Sequence, residues 1–243
     1  MRIFSKARQL TNRLMGHERV LYPALRISNK AHELTDRLMG NERAHYPREV
    51  SVWEPNHETI SFIKRTECRH IAELGIFKGH TSLEFAKFLN GKGELHLFDY
   101  EDRVKKVAKT LESAGFHNVR TFGSSYKLLD SYNWSLAKLL EQNTEPIYDY
   151  VFLDGAHTWP VDALTTFHAD RLLKVKGYLD FDDYNWTLGE SSFLNPKVFR
   201  LTDKLYTSEQ ITAKQVKMVV DLIIRRDSRY REVVPNKIFQ KMA

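Results

Sequence analysis

The chain predicts an α/β fold, a largely parallel sheet layered with helices and preceded by a separate helical extension. Three observations carry this. Apolar runs of strand length at 70–74, 94–99, 119–122, 148–153 and 177–182 alternate with stretches of helical periodicity. The first run turns through Gly75 and Gly79 directly into an amphipathic helix. The tail reads as a helix followed by a hairpin. Strand–helix alternation implies βαβ units with right-handed crossovers.

At 243 residues the chain can hold one sizeable α/β domain plus an appendage, divided here as 1–49 and 50–243. The appendage is a duplication. RIFSKARQLTNRLMGHERVLYP, from Arg2, returns as RISNKAHELTDRLMGNERAHYP, from Arg26, an offset of 24 positions. Lys6/Lys30, Leu10/Leu34, Arg13/Arg37, Met15/Met39, Gly16/Gly40 and Tyr22/Tyr46 match between copies. Ile3, Ala7, Leu10 and Leu14, then Ile27, Ala31, Leu34 and Leu38, form one helical seam per copy, each ended by a glycine. Two narrow-seamed helices cannot make a core alone, so they are expected to dock on the domain or to build a homo-oligomer.

In the domain, 58–65 reads as a lead-in helix bearing Ile60, Phe62 and Ile63, after a linker-like Trp53-Glu54-Pro55-Asn56. The helix after Gly79 places Leu83, Ala86 and Leu89 in its stripe, with Thr81 and Ser82 as candidate N-caps. A helix over 102–114 carries Val104, Val107, Ala108 and Leu111, and Asp102 suits its cap. Helices are expected at 161–173 and 215–227, and a hairpin at 230–234 and 237–242 around Pro235-Asn236.

Composition bounds the function. With 42% hydrophobic and 28% charged residues, and no apolar run near the roughly 20 residues that span a bilayer, the chain reads as soluble and cytoplasmic. The single cysteine, Cys68, excludes an intrachain disulfide and a cysteine-rich zinc site. Residues 1–50 hold ten Lys/Arg against five Asp/Glu, so +5 of the net +6 lies there. The nearly neutral domain argues against nucleic acid as its partner.

The pattern Glu73-x-Gly75-x-x-x-Gly79 differs from the G-x-G-x-x-G that seats a pyrophosphate. An acid just before the turn suits a ligand bearing an ammonium and a sulfonium. The pattern resembles the first motif of the class I S-adenosylmethionine (SAM)-dependent methyltransferases, and with the closing hairpin the resemblance spans about 58 to 242. It implies a Rossmann-like seven-stranded sheet, mostly parallel with the last strand antiparallel. It also implies SAM as cofactor, cradled by Glu73, Gly75, Gly79 and Thr81. Asp99, ending the second strand, can accept hydrogen bonds from both ribose hydroxyls, the role the resemblance gives it. Gly123-Ser124-Ser125 follows the third strand, where such enzymes contact adenine.

Asp154 ends the fourth strand in YVFLDGAH, and Asp182-Asp183 ends the fifth in YLDFDDYNW. Neighbouring strands lie about 5 Å apart. Three carboxylates converging there without obvious basic partners would repel one another, and a hard cation such as Mg²⁺ would relieve this. Read blandly, they are helix caps and solvated loop acids. Asp180 alternates onto the side of Asp182, so which acids ligate stays open. The trio resembles that of the metal-dependent O-methyltransferases, and FLDGAH with a later DDY resembles the macrocin-type sugar-modifying branch. His157 follows Asp154 by three residues, and the resemblance makes it the base that deprotonates an acceptor hydroxyl. Tyr184, Asn185, Trp186 and Trp159 are candidate acceptor-pocket residues, with the segment 187–210 carrying specificity.

The expected function is SAM-dependent methyl transfer to a hydroxyl of a sugar or glycosylated small molecule, with a divalent metal and a histidine base. The alternatives are a metal-independent methyltransferase of the same fold acting on another small-molecule nucleophile, and a non-catalytic ligand-binding scaffold. No N/D-P-P-Y motif follows the fourth strand, so amino-group methylation of nucleic-acid bases is disfavoured.

Overall fold

The computed structural model describes residues 54–243, apart from Leu128, Phe193 and Arg200. The duplicated segment, the 1–49 boundary and the oligomer expected from the repeats lie outside the described residues. Seven strands form one sheet: β1 (His70–Leu74), β2 (Glu94–Tyr100), β3 (Val119–Ser124), β4 (Tyr148–Leu153), β5 (Leu173–Phe181), β6 (Tyr230–Val234) and β7 (Ile238–Lys241). Their order is β3-β2-β1-β4-β5-β7-β6. The first five pair in parallel, and β7 lies antiparallel between β5 and β6. This is the sheet that the resemblance implies.

Both faces of the sheet are covered, which is why its central strands are nearly continuous apolar runs rather than alternating ones. Ile71, Leu95, Leu97, Tyr150 and Phe152 face one core cluster, where they meet α1 (His57–Ile63), α2 (His80–Leu89) and α3 (Glu101–Ser113) through Ile63, Phe85, Leu89, Val104 and Leu111. Ala72, Leu74, Val151, Leu153 and Leu179 face the other. There they meet α4 (Tyr132–Gln142), α5 (Trp159–Leu172) and the late helical segment Gln215–Ile224 through Leu136, Leu139, Leu172, Val216 and Val220.

Several local expectations shift. The helix α4 was not predicted. Its N-cap Ser131 accepts from Asn133 N, and its inner face mixes buried Tyr132 and Asn133 with Leu136 and Leu139, which blurs the apolar stripe. The strand β5 starts four residues before the expected 177, with a register shift against β4 between Tyr148 and Tyr150. Helix α2 begins at His80 with Gly79 as its N-cap, in the left-handed region (φ 79°), so neither Thr81 nor Ser82 caps it. Likewise α3 starts at Glu101 behind Tyr100, and Asp102 sits inside its first turn. The segment 187–210, expected to carry specificity, has structure of its own. It holds a 3-10 turn (Leu188–Glu190), α6 (Thr202–Leu205) and the start of α7 (Ser208–Thr212). The helix expected at 215–227 is α-helical only over Gln215–Val219 (α8) and continues as a π-helical turn, Val220–Ile224.

Candidate active site

Ladder hydrogen bonds continue one residue past the carboxyl ends of the central strands. Gly75 N donates to Phe98 O (2.8 Å), Asp154 N to Leu74 O (2.8 Å) and Asp182 N to Leu153 O (3.0 Å). Asp99, Gly75, Asp154 and Asp182 therefore stand side by side on one rim, in the strand order β2, β1, β4, β5. Such a rim, at the reversal of strand order, is where open α/β sheets bind ligands.

The glycine turn is built around two close approaches. Gly75 has φ 91°, and a Cβ there would come 2.0 Å from the Asp154 carbonyl oxygen. Gly79 has φ 79°, and a Cβ would strike Val107 of α3 at 2.6 Å. Asp99 then holds the turn. Its Oδ2 accepts from Ile76 N (3.0 Å) and Phe77 N (3.2 Å), and its Oδ1 from Tyr100 N (2.6 Å) and Arg103 (3.3 Å). Glu73 is wholly buried on the α2 side and receives Ser82 Oγ at 2.5 Å. Burial pushes its carboxyl up to about 8, partly offset by Ser82 and reinforced by the Asp99 charge. Thr81 Oγ1 accepts from Asn56 N (3.0 Å). Gly123 and Ser124 lie inside β3 rather than after it. Ser124 Oγ donates to Asp99 O (3.4 Å), while Ser125 donates through N and Oγ to Asp130 at 2.7 and 2.6 Å.

The acidic side of the rim is arranged around His157. Its Nε2 lies 3.7 Å from Asp154 Oδ1 and 3.6 Å from Asp183 Oδ2, and its ring centroid is 5.3 Å from that of Trp186. His157 (φ 53°) and Asp183 (φ 58°) both occupy the left-handed region that non-glycine residues rarely adopt, a conformation that costs energy and concentrates at functional sites. Burial lowers the His157 pKa from its usual 6.5, against the pull of Asp183 and Asp182. Burial raises Asp154 well above the carboxylate range, and Asp182, Glu73 and Asp183 add to it by repulsion.

The acids do have a basic partner, contrary to the expectation from sequence. Lys237, the residue before β7, places Nζ 3.0 Å from Asp180 Oδ1 and 3.5 Å from Asp182 Oδ1. Asn56 Nδ2 donates to Asp182 Oδ1 at 2.9 Å, while Asn56 Oδ1 caps α1 by accepting from Thr59 N. Asp180 is fully buried and receives Thr59 Oγ1 and Tyr150 OH at 2.6 Å each, which makes it a core group rather than a rim ligand. Neither Lys237 nor Asn56 is recognisable from local sequence. Only the pairing of Asp180 with Ile238 brings Lys237 to the rim.

The pocket candidates separate. Trp186 stands beside the histidine. Tyr184 turns away to the late helical segment, where its hydroxyl donates to Asp221 and accepts from Lys217 (2.8 Å) and Arg225 (2.9 Å). Asn185 accepts from Lys214, and Trp159 opens α5 and packs against the core. As donors, Asp154, Asp182 and Asp183 supply the carboxylate oxygens that a hard divalent cation prefers. Among the described residues, however, no three His, Cys, Asp or Glu side chains are gathered closely enough to hold a metal ion. The donor chemistry suits such a cation, and Asp182 Oδ1 is already engaged by Lys237 and Asn56.

Residues 72–184 match the family model of a methyltransferase domain. A search of curated proteins by sequence finds no match. Among solved structures, the fold is similar to that of the O-methyltransferase TomG from Streptomyces achromogenes, involved in tomaymycin synthesis and solved with SAM. The TM-score is 0.55 at 16% identity, over 86% of this chain and 89% of that one. It is similar also to an O-methyltransferase from Bacillus cereus in complex with SAH (0.52, 16% identity, 86% and 90% covered). A third is the SAH-bound methyltransferase PaMTH1 from Podospora anserina (0.53, 13% identity, 89% and 96% covered). At these identities the likeness concerns the fold. No helix among the described residues is long and apolar enough to cross a membrane.

Proposed function

We propose that the chain, which has the class I fold and matches a methyltransferase domain over 72–184, is a SAM-dependent methyltransferase, and that the atom it methylates is a hydroxyl oxygen of a small acceptor, a sugar or glycosylated molecule. The observation that carries this reading is the buried His157 imidazole, held 3.6–3.7 Å from the Asp154 and Asp183 side chains on the rim that also carries the glycine turn. A neutral imidazole can take the proton of a hydroxyl, and the flanking Asp183 favours the imidazolium that results. The solved O-methyltransferases of the same fold, from Streptomyces achromogenes and Bacillus cereus, agree with oxygen as the acceptor atom.

In this reading Glu73, Gly75, Gly79, Thr81, Asp99, Ser124 and Ser125 form the SAM site. Glu73 faces the cationic end of the cofactor, and Asp99 and the two serines face the adenosine. His157 acts on the acceptor at the neighbouring strand ends, and Trp186 walls the acceptor's apolar face. Asp154, Asp182 and Asp183 are the residues that would hold a divalent cation such as Mg²⁺, whose chemistry when bound is to lower the pKa of a hydroxyl. The choice of a sugar rests on the Asp-Asp pair of the macrocin-type pattern.

Incubation with labelled SAM and a panel of hydroxylated acceptors tests the proposal. Label transferred to an oxygen of a glycosylated acceptor supports it. Transfer only to nitrogen or sulfur nucleophiles, with acceptor oxygens untouched, rejects it. Activity that survives a chelator in full removes the cation and leaves the base.

A further inference from the structure

Lys237 reaches the acidic rim from a strand that no motif of the site includes. Its backbone is fixed on both sides, its carbonyl accepting from Phe181 N (2.9 Å) and its amide donating to Val234 O (3.2 Å). Its side chain is only 9% exposed, and Nζ lies 5.2 Å from the Phe152 ring centroid. The ammonium meets two carboxylates, Asp180 at 3.0 Å and Asp182 at 3.5 Å, and donates to Phe181 O at 3.4 Å.

One of these carboxylates suffices to keep the lysine charged. A buried ammonium needs a counter-charge, and Asp180 supplies one: Thr59 and Tyr150 hold its Oδ2, which leaves Oδ1 facing the ammonium as an ion pair. The second contact is of another kind. Asp182 is 29% exposed in its side chain and belongs to the rim, beside Asp154 and Asp183. An ammonium is a compact point charge with three donors and a strong preference for carboxylate oxygens. It therefore competes for the oxygens that a hard divalent cation needs.

We infer that Lys237 is the resident cation of the acidic rim, a tethered ammonium that holds Asp182 and so opposes the entry of a divalent metal between Asp154, Asp182 and Asp183. The inference rests on the metal site proposed above and adds its regulator. Metal occupancy is then set by competition with a side chain for the Asp182 carboxylate, whose Oδ1 the lysine already engages.

Mn²⁺ binding to the full chain, read from the paramagnetic resonance of the free ion, tests this without any turnover. Lys237→Gln should bind Mn²⁺ at least tenfold more tightly than the unmodified protein. Lys237→Arg, which keeps the charge, should stay within about threefold of it. Adding Asp182→Asn to Lys237→Gln should cancel the gain. If Lys237→Gln does not fold because Asp180 loses its counter-charge, Asp180→Asn with Lys237→Gln neutralises both partners and should show the same gain. Calorimetry with SAH checks that the fold is intact. Equal or weaker Mn²⁺ binding in the charge-removed proteins overturns the inference, as does an Arg variant that gains as much as the Gln variant. If the unmodified protein binds Mn²⁺ as tightly as the variants, the inference alone fails. If no variant binds it at all, the metal site falls with it.

Discussion

The two halves of the rim are built differently. On the β1–β2 side, four N–H groups converge on the Asp99 carboxylate, and Glu73 is buried beneath Ser82. On the β4–β5 side, the Asp154 and Asp183 side chains lie 3.6–3.7 Å from the His157 ring, beyond hydrogen-bond reach. The first half is organised by its own bonds. The second is more loosely tied, its acids crowded together around one ring. A transferase gains from such a division, because its cofactor is the same at every turnover while the acceptor must be aligned and deprotonated each time.

The comparison breaks most visibly at His157. Replacing it with Ala should lower kcat by roughly 10²–10⁴-fold, with SAH affinity within about twofold of the unmodified protein by calorimetry. The acid limb of the pH–rate profile, centred below pH 6.5 because burial lowers the imidazole pKa, should vanish with it. A variant that loses SAH binding as well would show that the two halves are not separate.

Glu73 gives the next largest effect, on stability rather than rate. Its carboxyl titrates at about 8 in the fold against 4.5 as a free side chain, so the folded state keeps a proton that the unfolded chain gives up. Stability from this group is full below pH 4.5, falls as pH climbs to about 8 and is level above. Glu73→Gln should lack that slope, a difference on the order of 3–5 kcal/mol at pH 9 in denaturant titrations. Parallel stability–pH curves for the two proteins would mean that Glu73 is ionised in the fold.

Asp99→Asn should follow, since the amide nitrogen turns a donor toward N–H groups that need acceptors. Weaker SAH binding by roughly ten- to a hundredfold, or about 1.5–3 kcal/mol, is expected, with kcat at saturating SAM little changed. A drop confined to kcat would move Asp99 to the other half. The smallest effect belongs to Tyr184→Phe. The hydroxyl sits in a partly exposed network with Asp221, Lys217 and Arg225, so its loss should cost under about 1 kcal/mol in thermal unfolding and leave kcat/KM for the acceptor unchanged. A tenfold loss in kcat/KM would return Tyr184 to the acceptor pocket.

Much of this was legible in the chain because it is local. Apolar runs gave the five parallel strands within a few residues, and a glycine turn or an acid at a strand end carries its own signal. What was hidden depends on pairing across long separations. Lys237 reaches Asp182 only through the β5–β7 register, and Asn56, which reads as linker, is at once the cap of α1 and a donor to Asp182. Asp180 and Asp182 look equivalent by alternation. One is sealed beneath Thr59 and Tyr150 while the other opens on the rim, a difference set by α1 packing on the sheet. Helix α4 was missed because its inner face spends two positions on polar-tipped Tyr132 and Asn133, which bond Asp162 and the Val161 carbonyl of α5.

The fit between Gly75 and the Asp154 carbonyl has a mechanical consequence. With room for a hydrogen atom but not for a methyl group between the turn and the loop, there is no slack in which either can travel toward the other. A displacement of the loop bearing Asp154 and His157 must push on the backbone that leads into α2, and a push on that turn must arrive at the histidine. The two halves are thus geared together through main chain alone, and side-chain replacements around the rim leave that gear engaged.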